Sequence, residues 1–102
     1  MSVKKASITL VLVLCSSVYA IDPQTLAQSK NCLACHAVDT KLVGPAFKDV
    51  ASKYKNDKTA EDRLVKKVIG GGGGVWGQMP MPPNPVTDTE ARTLVQWVLS
   101  RK

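Results

Sequence analysis

The chain has 102 residues, a formal net charge of +6 and 44% apolar residues. That length holds one small domain and excludes a multidomain enzyme, and so large an apolar share at so modest a charge excludes a disordered chain. The seven glycines and six prolines are ordinary in number but bunched, with neither a collagen period nor a coiled-coil repeat.

Met1 to Ala20 opens with Lys4 and Lys5, runs apolar from Ile8 through Leu14, and ends with Val18 and Ala20 at the −3 and −1 positions of a small-residue cleavage site. This is the pattern of a cleaved secretory signal peptide. The apolar run is too short to span a bilayer. Leu14 stands where a lipoprotein site would need a small residue, so Cys15 reads as discarded apolar filler. Cleavage would leave a single domain, residues 21–102, with a net charge of +4 and two cysteines, Cys32 and Cys35. Exported proteins seldom keep free thiols. A chain of roughly 80 residues gains only ~3–5 kcal/mol from its core, and such scaffolds usually carry a staple. A disulfide across two intervening residues would constrain little of the unfolded ensemble. With only Phe47, Tyr54, Trp76 and Trp97 as aromatics, a large apolar group beyond the polypeptide is expected to complete the core.

Asp22-Pro23 reads as the N-cap and first residue of a helix, predicted to run from Pro23 to about Ala34. Val38 to Pro45 is loop, broken at Gly44-Pro45. Phe47, Val50, Ala51 and Tyr54 recur with the period of a helix face. Asn56 to Thr59 is a polar turn. Leu64, Val65, Val68 and Ile69 form the next apolar face, which the glycine run from Gly70 ends. Val75 to Val86 carries Pro80, Pro82, Pro83 and Pro85 and cannot be regular. Thr87 and Glu90 are spaced as a capping box, and Ala91, Leu94, Val95, Val98 and Leu99 make the strongest amphipathic stripe of the chain. The expected fold is all-α, with four main helices, one long rigid loop and no convincing strand.

Cys32-Leu33-Ala34-Cys35-His36 has the spacing of a c-type haem attachment site. Two thiols about one helical turn apart can add across the two vinyl groups of one porphyrin edge, and the following histidine then reaches the iron. A redox disulfide is the first rival, but it lacks its usual βαβ setting. Zinc is the second, but no fourth ligand is available: His36 is the only histidine, and no further cysteine remains after cleavage. If Nε2 of His36 binds iron, Nδ1–H needs a backbone carbonyl, which the Gly44-Pro45 loop is placed to supply. Met79 and Met81, flanked by prolines, are the candidates for the sixth ligand. Prolines lower the ordering entropy of holding a weak thioether. Periodicity does not choose between the two.

The chain resembles the small bacterial class I cytochromes c, in particular the cytochromes c-551 of the pseudomonad type. The resemblance rests on Asn31-Cys32-Leu33-Ala34-Cys35-His36, Lys41-Leu42-Val43-Gly44-Pro45-Ala46, Gly74-Val75-Trp76-Gly77, Met81-Pro82-Pro83-Asn84 and Trp97-Val98-Leu99. It implies the class I fold around one covalent haem c, with thioethers at Cys32 and Cys35 and His36 and Met81 as axial iron ligands. It further implies that Pro45 gives its carbonyl to His36, that Asn84 bonds near Met81, and that Trp76 approaches a haem propionate, with Lys67 nearby. Leu33, Ala34, Leu42, Met79, Pro80 and Pro82 would form an apolar docking patch at the haem edge.

The implied function is outer-sphere electron transfer without catalysis, because both axial positions are filled. A haem enzyme or gas sensor would need one of them open. The expected setting is the periplasm, with the chain a monomer without stable membrane insertion. The expected partners are redox proteins: a cytochrome bc1-type or other donor, and a nitrite reductase, terminal oxidase or peroxidase as acceptor. The glycines from Gly70 to Gly74 lack the following Gly-Lys-Ser/Thr of a phosphate cradle, and read as a helix cap and flexible bridge. Lys48, Lys53, Lys55, Lys58, Lys66 and Lys67 are a solvated face that could steer an acidic partner. Nucleic acid is not an expected partner, because no aromatics interleave the basic residues.

Overall fold

The computed structural model describes residues 6–11 and 21–102. The expected leader Met1–Ala20 lies outside the described residues except for 6–11, which form no regular element. The rest is all-α: α1 (Pro23–Ser29), a short 3-10 turn (Cys32–Ala34), α2 (Phe47–Lys53), α3 (Ala60–Gly70) and α4 (Asp88–Leu99). Among the described residues, pairing of the β type is confined to a bridge between Gly72 and Met81, and no helix is long and apolar enough to cross a membrane.

Asp22 caps α1, its carboxylate accepting from the Thr25 N–H at 3.0 Å and from the Thr25 hydroxyl at 3.1 Å. The helix stops earlier than the expected Ala34. Asn31 takes a left-handed backbone, φ 61°, which asparagine tolerates better than most residues and which ends a helix. The chain restarts as the 3-10 turn, where Cys32 C=O accepts from the N–H groups of Cys35 at 3.2 Å and His36 at 3.0 Å. The break gathers both cysteines and the histidine into one tight turn.

The segment after that turn folds back on it. Gly44 N–H donates to Cys35 C=O at 2.8 Å, and Phe47 N–H to Ala37 C=O at 2.9 Å. α2 then buries Phe47, Val50 and Ala51. α3 ends at Gly71, φ 73°, whose N–H closes on Lys67 C=O at 2.8 Å. The expected capping box is complete at Thr87 and Glu90. α4 buries Ala91, Leu94 and Val95 and packs against α1, α2 and α3.

Two apolar clusters meet along α4. One joins Leu26 and Ala27 of α1 to Leu94, with Leu33 and Trp97 against them. The other joins Val65 of α3 to Ala91 and Val95, with Leu64 and Val68 against them. Among the described residues, five of the eleven buried apolar residues are alanines (Ala27, Ala46, Ala51, Ala60 and Ala91). The helices therefore approach closely where they touch, and few large side chains are left to fill the space between α2, α3 and the proline-rich loop.

Candidate functional site

That space is a cavity of about 380 Å³, within the ~300–1,000 Å³ common for cofactor sites. Cys32, Cys35 and His36 line it from the 3-10 turn, and Met79, Pro80, Met81 and Pro82 from the proline-rich loop. Its remaining wall is largely apolar, with Phe47, Val50, Leu64, Val68, Leu94 and Trp97 contributed by three helices.

The His36 ring is fixed on several sides. Nδ1 lies 2.8 Å from Pro45 C=O. With Nδ1–H donating there, Nε2 keeps its lone pair, the state a metal-binding imidazole needs. The ring stacks on Phe47, with centroids 5.1 Å apart and planes 22° apart. Gly44 closes the other approach so tightly that a Cβ there would collide with the imidazole. The ring of the residue after Cys35 is thus held in one orientation by its protein contacts.

Met81 is held by its backbone. Its N–H donates to Gly72 C=O, and its C=O accepts from Gly72 N–H, both at 2.9 Å. The approach requires glycine: a Cβ on Gly71 would sit 2.5 Å from the Met81 carbonyl oxygen and 2.8 Å from the Pro83 nitrogen. Within the glycine run, Gly71 and Gly73 pack closely against the proline-rich loop, whereas a Cβ on Gly70 or Gly74 would meet nothing within 4 Å. Asn84 lies behind the cavity wall. Its amide donates to Val68 C=O at 2.8 Å and Pro82 C=O at 3.2 Å, tying the loop to α3. Met81 is half-buried, whereas Met79 is 71% exposed.

Lys41 and Lys67 line the cavity, as do Tyr54 and Trp76. The Lys53 ammonium lies 5.5 Å from the Trp76 ring centroid and 6.0 Å from that of Tyr54, joining α2 to the loop by cation–π contact. The sequence carried no direct signal of this contact, of the His36–Phe47 stack or of the Gly72–Met81 bridge. A run of five glycines directly before a proline-rich loop hints at close backbone approach, but not at its partner.

Among the described residues no group of three or more His, Cys, Asp or Glu could hold a metal ion, so the donor set does not suit a zinc site. Cys32 and Cys35 are not bonded to each other, and burial pushes the Cys32 thiol above its ordinary value. Two thiols, an oriented imidazole and an accessible thioether on an apolar cavity suit a large, flat, metal-bearing macrocycle. The model of the cytochrome c family matches residues 22–102.

The chain belongs to the cytochrome c family.

It is 53% identical over 89 residues to cytochrome c-551 of Pseudomonas aeruginosa, covering 87% of this chain and 86% of that protein. It is 51% identical over 85 residues to cytochrome c-552 of Nitrosomonas europaea, covering 82% of each. The crystal structure of wild-type Nitrosomonas europaea cytochrome c552 superposes with a TM-score of 0.75 at 51% identity, over 78% of this chain and 99% of that one. The fold is that of the small class I cytochromes c, and the cofactor is haem c with its iron, covalently attached, with Cys32 and Cys35 fitting the Cys-x-x-Cys-His motif. The chain is accordingly a small c-type cytochrome of an electron-carrying family rather than an enzyme family.

Proposed function

We propose that the chain is a periplasmic one-electron shuttle in which His36 Nε2 and the Met81 sulfur are the axial iron ligands. Cys32 and Cys35 carry the thioether bonds, and Met1–Ala20 is removed on export to leave residues 21–102 as the cytochrome domain. The observation that carries this reading is that one cavity is lined by both an imidazole already oriented by Pro45 at 2.8 Å and a methionine whose backbone is pinned at 2.9 Å on either side of Gly72.

The haem supplies one-electron exchange at its iron when bound. The polypeptide does the rest. A neutral nitrogen and a soft thioether favour the ferrous state and raise the potential, and an apolar wall acts in the same direction by disfavouring the extra positive charge. Pro45 holds the His36 tautomer, Asn84 and Gly72 hold the Met81 loop, and Trp76 and Lys67 stand at the cavity where propionates would emerge. The His36 ring contact and the Met81 backbone bonds would keep the structural change per electron small.

The proposed donor is a cytochrome bc1-type complex or another redox protein, and the proposed acceptor a nitrite reductase, terminal oxidase or peroxidase. The support is the resemblance to cytochromes c-551 and c-552. Small transient contacts at an exposed apolar rim suit rapid exchange with several partners.

The ligand assignment is tested by Met81→Ala and Met79→Ala. The ferric protein should show a weak charge-transfer band at the red end of the spectrum that reports iron–sulfur ligation. Met81→Ala should abolish it and open the reduced iron to carbon monoxide, while Met79→Ala keeps the band. The opposite pattern assigns the ligand to Met79. N-terminal sequencing of periplasmic protein should begin at Ile21.

A further inference from the structure

The stretch 21–102 holds two methionines, two residues apart, in very different surroundings. Met81 is half-buried with both backbone groups bonded to Gly72. Met79 is 71% exposed, although its backbone is seated: a Cβ on Gly73 would meet the Met79 carbonyl oxygen at 3.5 Å and Pro80 Cα at 3.1 Å. The exposed side chain presents the Met79 thioether to solvent at the cavity mouth. It stands among other exposed apolar residues that line the cavity, Val43 at 58%, Val75 at 50% and Trp76 at 42%.

We propose that Met79 is an oxidation site: peroxide converts its thioether to the sulfoxide ahead of Met81, and the sulfoxide weakens docking at the cavity rim while the iron ligands stay in place. The protection of Met81 rests on the ligand reading above, in which its sulfur lone pair is engaged by iron. Thioether oxidation follows exposure and the availability of that lone pair, and both favour Met79.

The step balances with hydrogen peroxide as the oxidant. The Met79 sulfur gives an electron pair to one peroxide oxygen, the O–O bond breaks and a sulfur–oxygen bond forms. The second oxygen leaves as water with both hydrogens. Sulfur is oxidised by two electrons, and the peroxide is reduced by two. The change is reversible by a thiol-dependent sulfoxide reductase. Its consequence is local. The sulfoxide oxygen is a strong acceptor set in a rim that must shed water when a partner closes on it, and an acceptor buried without a donor opposes association.

The test uses the holoprotein and needs no identified partner, because a second copy serves as one. Ferric protein is treated with stepwise low doses of hydrogen peroxide. Fragment-ion mass spectrometry then locates the added oxygen, the red charge-transfer band monitors iron–sulfur ligation, and NMR line broadening in ferric–ferrous mixtures measures electron self-exchange. Met79 should gain oxygen about tenfold faster than Met81, in line with exposure. The band should persist, and self-exchange should fall about tenfold, the scale of one unpaired buried polar group. Met79→Leu, compared with its own untreated sample, should lose no rate on treatment. Met79→Gln should keep the band and exchange slowly without peroxide.

Oxygen arriving first at Met81, or a Met79-oxidised protein that exchanges at the untreated rate, would overturn the proposal. A band missing before any peroxide is added overturns the Met81 ligand reading instead, and the order of oxygen uptake at the two sulfurs still decides the case for Met79.

Discussion

His36 has little freedom: Pro45 holds Nδ1, Phe47 stacks on one face, and Gly44 leaves no space for even a methyl group. Gly44→Ala should therefore force the ring off the Pro45 carbonyl or the loop off the ring. Overpacking of this kind costs about 1–3 kcal/mol. A chemical denaturation midpoint on the holoprotein should fall accordingly, and the red band should weaken as the iron environment loosens. Asn84 makes a different contribution, since its amide satisfies the Val68 and Pro82 carbonyls together. Asn84→Leu leaves both without this donor and should cost about 1–3 kcal/mol, with faster exchange of the Met81 amide. Neither role was fully legible in the sequence. The Cys-x-x-Cys-His spacing was, because it is one contiguous motif, and Pro45 was, because a Gly-Pro break marks a loop whose carbonyl could reach back. The Phe47 stack and the Gly72 bridge span much the same stretch of chain, but no motif names such partners.

Among the elements, α4 was the most legible, because its capping box and apolar stripe are both written in short-range spacing. The box is present as expected, with Glu90 N–H donating to the Thr87 hydroxyl at 3.1 Å and Thr87 N–H to the Glu90 carboxylate at 2.9 Å. Thr87→Ala should cost about 0.5–2 kcal/mol, read from thermal or denaturant unfolding. The Thr87 N–H holds the Glu90 carboxyl below the ordinary carboxylate range, with Lys30 adding to it, and bonds from Thr59 do the same for Asp57. The folded state thus binds these protons less readily than the unfolded chain. Their stabilisation is present above the unfolded carboxylate pKa of about 4, and is lost as pH falls through the lower folded values. Glu90→Gln should flatten the acid limb of a stability-versus-pH curve and leave Asp57's share intact. The first helix was the least legible. Its apolar pattern continues past Ser29, and only the left-handed Asn31 reveals that the chain restarts as a separate turn.

Over the whole molecule, charges are sorted. Arg92 gathers Glu61, Asp62 and Asp88, Arg63 takes Asp57, Lys48 takes Asp39, and Lys30 takes Glu90. Among the described residues Lys41, Lys53 and Lys67 make no ion pair, and they lie at or beside the cavity mouth. Salt screens such charges over ~8–10 Å, so long-range steering should be modest beside the desolvation of the rim. Val43→Glu, on the exposed cavity wall, should therefore slow self-exchange about tenfold, because a rim charge must be stripped of water as two copies meet. Lys58→Glu, away from the cavity wall, should leave it nearly unchanged, and the difference should survive a rise in ionic strength. The incomplete core gives a second expectation at this scale. With both thiols replaced, as in Cys32→Ala plus Cys35→Ala, the cofactor is no longer tethered and little folded protein should accumulate. Far-UV circular dichroism of the purified double variant checks this, and a helical, cooperatively unfolding product would contradict it.

The packing of α1 on α4 sets the order of events during biosynthesis. Leu26 and Ala27 find their partner in Leu94, near the opposite end of the chain, so the first helix has nothing to dock on until the last has been made and released. Closing so long a loop costs entropy that only the completed α4 can repay. On the export reading, a chain crossing the membrane N-terminus first would therefore remain open, with its Cys-x-x-Cys-His turn accessible, until α4 has followed. Maturation and folding become one late step, and a chain truncated before Trp97 should be degraded rather than stored.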